Sequence, residues 1–196
     1  MQSIKINPNN TNAFHNLGII FYELGDYKQG IISSQKAIQI QPNHSEAINN
    51  LGNLYKELGE LKKSKNCFEK AIEINSNNPK YYNNLGNIFK DLGEFEKAIA
   101  FYKKTIQIKP NHSKAYYNLG LLHKILGNFD TAETAYKNSL KYEPDNLITA
   151  YEIAKLNEKF LNADLKRKID KILNVNHLNK KNIAYGNFLL SKYELK

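Results

Sequence analysis

Apolar positions in this chain form stripes of helical period that restart at a fixed interval. Between residues 79 and 92 they fall at Tyr82, Leu85, Phe89 and Leu92, three or four apart, on one helical face. Between residues 95 and 108 they fall at Phe95, Ala98, Ile99, Tyr102, Ile106 and Ile108, a second stripe. Gly93 separates the two, where a left-handed residue ends a helix at little cost. Gly25, Gly59 and Gly127 hold its place elsewhere. Pro42, Pro110 and Pro144 close second stripes, because proline cannot continue a helix. Pro79 instead suits the first turn of the helix that follows it. Helices of about 14 residues span roughly 21 Å.

The restarting interval is visible in Asn-Leu-Gly. Its asparagines, Asn16, Asn50, Asn84 and Asn118, stand 34 residues apart. A fixed period of this length marks a stacked array of helix pairs. Four units follow from it, at 11–44, 45–78, 79–112 and 113–146. Residues 1–10 read as the end of a preceding repeat helix, because Ile4, Ile6 and Pro8 share the register of Ile38, Ile40 and Pro42. Residues 147–196 read as a degenerate repeat and a final helix. The first helix covers 147–160, with Ala150, Ile153 and Ala154 in register. The second covers 162–173, with Leu165, Ile169, Ile172 and Leu173 on one face. A polar link over 174–181 leads to a helix over 182–195. Its Tyr185, Phe188, Leu189, Leu190 and Tyr193 are too apolar to face water without a partner.

Gly18, Gly52, Gly86 and Gly120 fall inside first helices, where glycine costs about 1 kcal/mol against alanine. The spacing predicts a helix crossing there too closely for a Cβ, with small residues of its own at Gly30, Ser64, Ala98 and Ala132.

The pattern resembles the tetratricopeptide repeat (TPR). An apolar or aromatic residue (Phe14, Ile48, Tyr82, Tyr116) precedes Leu-Gly, and an aromatic (Phe21, Tyr55, Phe89) follows. Then come a glycine, a small residue, an aromatic (Phe68, Tyr102, Tyr136), another small residue (Ala37, Ala71) and proline. Ser34 and His123 depart from it, each standing where an aromatic is usual. The resemblance covers residues 2–146. It implies an all-α fold, a right-handed superhelical solenoid of antiparallel helix pairs, with first helices lining a concave groove.

Composition changes this picture little. At 41% hydrophobic and 24% charged, the chain has the balance of an ordinary folded protein. No apolar run suits a signal peptide or a membrane span. A single cysteine, Cys67, fits a reducing compartment, and a cytoplasmic bacterial protein is expected. The net charge of +9 raises nucleic acid as a partner. Arg167 is the only arginine, however, and lysine and asparagine abound, as in a low-GC genome. The forked donors that recognise phosphates and bases are missing, so nucleic acid is not expected. Residues 155–196 hold ten Lys/Arg against four Asp/Glu, with Lys166, Arg167, Lys168 and Lys171 crowded on one short helix.

Chemistry-bearing patterns are absent. His15, His44, His112, His123 and His177 show no metal-ligand spacing, and Cys67 has no histidine near it in sequence. No phosphate-binding or nucleophile-elbow motif occurs. No catalysis, cofactor or metal is expected of this chain. Function is sought instead on the first helices. An amide both donates and accepts, so the ladder Asn16, Asn50, Asn84 and Asn118 can bond the backbone of an extended peptide. The ladder is similar in register to one in the TPR arrays of O-GlcNAc transferases. Asn49, Asn53, Asn83 and Asn87 flank it. Lys56, Lys90 and Lys124 form a second row, with Lys114 and Lys80 near helix starts. Together they predict a mildly positive groove suited to an extended or acidic partner peptide. TPR domains that clamp a C-terminal carboxylate are a partial match. Asn53, Asn84 and Lys114 fit that clamp, whereas Asn49 and Asn118 stand where lysine and arginine are usual. The tail loosely resembles the linker of bacterial TPR-sulfotransferase proteins. That resemblance implies an alternative, in which the array is the recognition arm of a larger transferase.

Overall fold

The computed structural model describes residues 10–174 and 180–194. All but Asn10 of the half-helix read at 1–10 lies outside the described residues, as does the part of the link that contains His177. The described residues fold into eleven α-helices and one 3₁₀ turn, with no strand. They fall into two compact units divided between Ile108 and Lys109.

The first unit holds three helix pairs. These are α1 (Thr11–Glu23) with α2 (Tyr27–Ile40), α3 (Ser45–Glu57) with α4 (Leu61–Ile74), and α5 (Pro79–Asp91) with α6 (Phe95–Ile108). Each first helix packs along its own second helix, and α2 and α4 pack on the first helix of the next pair. Three-residue turns join the members of a pair, and Gly25, Gly59 and Gly93 hold φ of 75–77° there. Only glycine adopts that conformation without strain, so the turns fix where each first helix ends.

The other unit holds α7 (Ser113–Ile125) with α8 (Phe129–Tyr142), and then the tail. In the tail, α9 (Leu147–Leu156) runs into a 3₁₀ turn (Glu158–Phe160), followed by α10 (Ala163–Leu173) and α11 (Lys180–Glu194). The helix expected over 147–160 therefore stops at Leu156, where the Asn157 side chain accepts from the Lys159 N–H and starts the 3₁₀ turn. The final helix is not unpartnered. Leu189 is buried with Leu147, Ala150, Ile169 and Ile172, and Tyr185, Leu190 and Tyr193 pack against the same cluster. The Tyr193 hydroxyl donates to the Asn162 carbonyl at 2.9 Å. Ile183 and Phe188 are what this helix leaves in the open.

The glycines of Asn-Leu-Gly have a sharper reason than helix proximity. A Cβ on Gly52, Gly86 or Gly120 would stand 2.7, 2.7 or 2.5 Å from the ring of Phe68, Tyr102 or Tyr136. All three rings are fully buried. The expected small residues also contribute, since the Ser64 hydroxyl donates to the Gly52 carbonyl at 2.7 Å. The nearest obstacle at these three is nonetheless the aromatic ring that α4, α6 or α8 lays across the glycine.

The two tyrosine rings differ at their tips. The Tyr102 hydroxyl donates to Asn87 Oδ1 at 2.8 Å. In the register of Asn87 the next pair has Leu121, and the buried Tyr136 hydroxyl makes no hydrogen bond among the described residues. A buried hydroxyl without a partner costs about 1–3 kcal/mol. Tyr136→Phe is therefore expected to raise stability by about 1 kcal/mol, and Tyr102→Phe to lower it by a similar amount. Opposite shifts in the urea midpoint check this, and a loss in both variants contradicts it.

His44 and His112 are helix caps. Each Nδ1 accepts a backbone N–H at 3.2 Å, from Ala47 and Ala115 respectively. An accepting nitrogen must be unprotonated. Burial, and then the charge of Lys109, hold His112 below its ordinary value of 6.5. Because the folded value is the lower one, the unfolded chain takes up the proton first. The stability tied to His112 is complete above about pH 6.5 and is lost as pH falls below it. His112→Asn keeps a capping acceptor and is expected to flatten this part of the stability profile between about pH 7.5 and 5, measured by urea unfolding.

Candidate functional site

The amide-rich face lies on α3 and α5 of the first unit, and it divides into residues that hold the fold and residues that stand open. Asn50 belongs to the first group. It is 7% exposed, and its Nδ2 donates to Ser34 Oγ at 3.2 Å inside the core. The reason lies one repeat earlier. Ser34 occupies the place of Phe68, Tyr102 and Tyr136, and the missing ring leaves a slot beside Gly18 that Asn50 enters. Asn83 is also buried, at 8% exposed. Asn50 and Asn83 are therefore removed from the groove expected from the register.

Asn49, Asn53 and Asn84 come together and are half-buried. Asn84 Nδ2 donates to Asn49 Oδ1 at 2.9 Å and to Asn53 Oδ1 at 3.3 Å, tying α5 to α3. Asn84 cannot turn inward as Asn50 does, because the ring of Phe68 fills the corresponding slot over Gly52. Asn53 in turn is available because Phe68, unlike Tyr102, has no hydroxyl to engage it. One amide group pinned by two carbonyls fixes the orientation of all three side chains. The Asn49 and Asn53 Nδ2 groups and Asn84 Oδ1 then remain as two donors and one acceptor without a hydrogen bond among the described residues. Asn87 is half-buried and accepts from Tyr102. Asn16 is exposed on α1, next to His15, whose ring lies 5.0 Å from that of His44.

The lysine row is not a positive stripe. Lys56 lies 4.0 Å from Glu57, and Lys90 lies 3.5 Å from Asp91. Glu57 also accepts from the Tyr22 hydroxyl at 3.2 Å. At this end of the first helices each ammonium has a carboxylate beside it, so the expected mild positive charge is locally cancelled. In the second unit Lys124 is committed to Glu152 of α9 at 2.5 Å, in a pair that is 25% and 13% exposed. Lys114 is exposed at the start of α7, and Asn118 is half-buried on it. Sequence position alone could not separate a partnered lysine from an open one, because each partner is supplied by a neighbouring residue or helix outside the motif.

Cys67 is half-buried, and burial pushes its thiol to about 11, far from a reactive thiolate. Among the described residues no group of three His, Cys, Asp or Glu side chains is placed to hold a metal, and no helix is long and apolar enough to cross a membrane.

Comparison with known proteins bears on the fold. Models described as tetratricopeptide repeat match residues 79–112 and 113–146, and 1–31 and 34–66. A model described as TPR repeat matches residues 52–93. No curated protein sequence matches the chain. Among similar solved structures, PilF of Pseudomonas aeruginosa is 22% identical with a TM-score of 0.76, over 94% of this chain and 84% of that one. TTC0263 of Thermus thermophilus, a thermophilic TPR protein, is 19% identical with a TM-score of 0.73, over 92% and 98%. YrrB, a TPR protein described as having an unusual peptide-binding site, is 18% identical with a TM-score of 0.63, over 89% and 91%. At such identities the likeness shows the fold.

Proposed function

The chain belongs to the tetratricopeptide repeat family, and from that premise we propose that it is a non-catalytic interaction module whose α3–α5 face receives an extended stretch of a partner protein. The observation that carries this reading is the pinned amide triad of Asn49, Asn53 and Asn84. Its two donors and one acceptor suit the carbonyl and N–H groups of a peptide backbone, which any sequence presents. The amides are held in place before binding, so little side-chain freedom is lost when the peptide arrives. Lys56 and Asn87 stand one turn along their helices from Asn53 and Asn84, and with Lys90 and with Asn16 of α1 they would contact side chains of the peptide. Lys114, Asn118 and Lys124 form the corresponding face of the second unit, where the Lys124–Glu152 pair favours a structural part for that lysine.

The test starts from a displayed library of random peptides selected on the full chain. A selected peptide is expected to lose at least tenfold in affinity, about 1.4 kcal/mol, against the triple variant Asn49→Ala, Asn53→Ala, Asn84→Ala. Asn50→Ala should instead lower the melting temperature. Unchanged affinity in the folded triple variant would remove the triad from the account. The alternative of a recognition arm in a larger transferase rests on the tail's sequence alone. An open reading frame running beyond Lys196 into a nucleotide-binding domain would support it.

A further inference from the structure

The tail carries a second recognition feature, independent of the amide triad. Between α9 and α11 lies a hollow of about 210 Å³ lined by Tyr151, Ala154, Leu161, Phe188 and Leu189. Its floor is firm, because Ala154 and Leu189 belong to the buried cluster of the tail. Its wall is aromatic, with the Tyr151 and Phe188 rings edge to face at 5.1 Å. Sites that enclose whole small molecules run to about 300–1,000 Å³, so this hollow has room for one side chain.

The rim is what gives the occupant a character. Lys155 lies over the Tyr151 ring at 5.4 Å, and Lys192 over the Phe188 ring at 5.4 Å. Neither ammonium has an ion pair among the described residues. Among the described residues that line the hollow, Glu158 is the one carboxylate beside the two lysines. Each lysine shields an aromatic face and holds its charge at the mouth, where an arriving carboxylate meets it without displacing an internal partner.

We infer that the α9–α11 hollow docks one bulky apolar side chain carried by an acidic stretch of a partner protein. The probe is a fluorescein-labelled peptide, Asp-Glu-Phe-Asp-Glu, blocked at its C-terminus, titrated with the full chain and read by anisotropy. Lys155→Glu with Lys192→Glu is expected to weaken binding at least tenfold, and so is serine in place of the peptide's phenylalanine. Both lysines are exposed, so the double variant should keep the parent circular dichroism and melting temperature. The triple asparagine variant of the first unit should bind the probe as the parent does. Equal binding of the phenylalanine and serine peptides, or full binding by the lysine variant, would overturn the inference. So would loss of binding in the asparagine variant, which would place the peptide on α3–α5. Sedimentation supplies a further check. Self-association abolished by the lysine variant would make a second copy of this chain the occupant and overturn the acidic partner.

Discussion

Tyr102→Ala is expected to lower stability by about 3–5 kcal/mol, the range for removing a large buried ring. Tyr102 is fully buried, lies across Gly86 and ends in a hydrogen bond to Asn87. Its loss opens a cavity between α5 and α6 and removes the hydrogen bond to Asn87 at the same time. Closing the space would pull on the Asn84 bonds that hold α5 to α3. In a repeat array, stability is close to a sum over units and their interfaces. The damage should therefore register first in hydrogen exchange of α5 and α6, and next in the urea midpoint. A loss below about 1 kcal/mol would show that the ring is not what binds the pair together.

Gly86→Leu is expected to cost about 1–3 kcal/mol, the range for overpacking a filled core. Even the Cβ would stand 2.7 and 2.9 Å from two carbons of the Tyr102 ring, which has no exposed direction in which to withdraw. The gain in helix propensity from losing a glycine, about 1 kcal/mol at most, does not offset this. Because one contact underlies both substitutions, their effects should not add. Gly86→Leu made in the Tyr102→Ala background places new carbon in the space the ring leaves, and should cost less than in the parent. Thermal unfolding of the four proteins of this cycle measures the coupling. Additive losses would mean that ring and glycine act separately.

The helices, their turns and their pairing were legible in the sequence because each depends on local chemistry. Three-to-four spacing places a stripe, and a glycine at φ of 75–77° ends it. The reason for the mid-helix glycines was half legible. Small residues do sit nearby, but the ring responsible stands sixteen positions downstream of Gly52, Gly86 and Gly120, and spacing alone does not say which side chain reaches each glycine. The candidate site was the least legible part. Asn50 and Asn84 share one register, yet one is core and the other half-open. What separates them is whether position 34 or 68 carries a ring. Lys124 looked like Lys56 and Lys90, yet its carboxylate partner comes from the degenerate tail, where the repeat predicts nothing. Position in a motif is set by the fold, whereas exposure is set by whichever neighbour fills the adjacent space.

The Ser34–Asn50 pair shows how such a surface can change. The first helix pair has kept Gly18, the residue that makes room for a ring, although no ring is there. The fold thus holds a berth for an aromatic side chain, with Asn50 as its present tenant. Ser34→Phe would supply the usual occupant and evict the amide toward the side where Asn84 already stands. A single substitution in the interior of a second helix would then add an open amide to the proposed recognition face without altering any other residue of that face. If the proposed face binds a peptide, its choice of partner is open to revision from within.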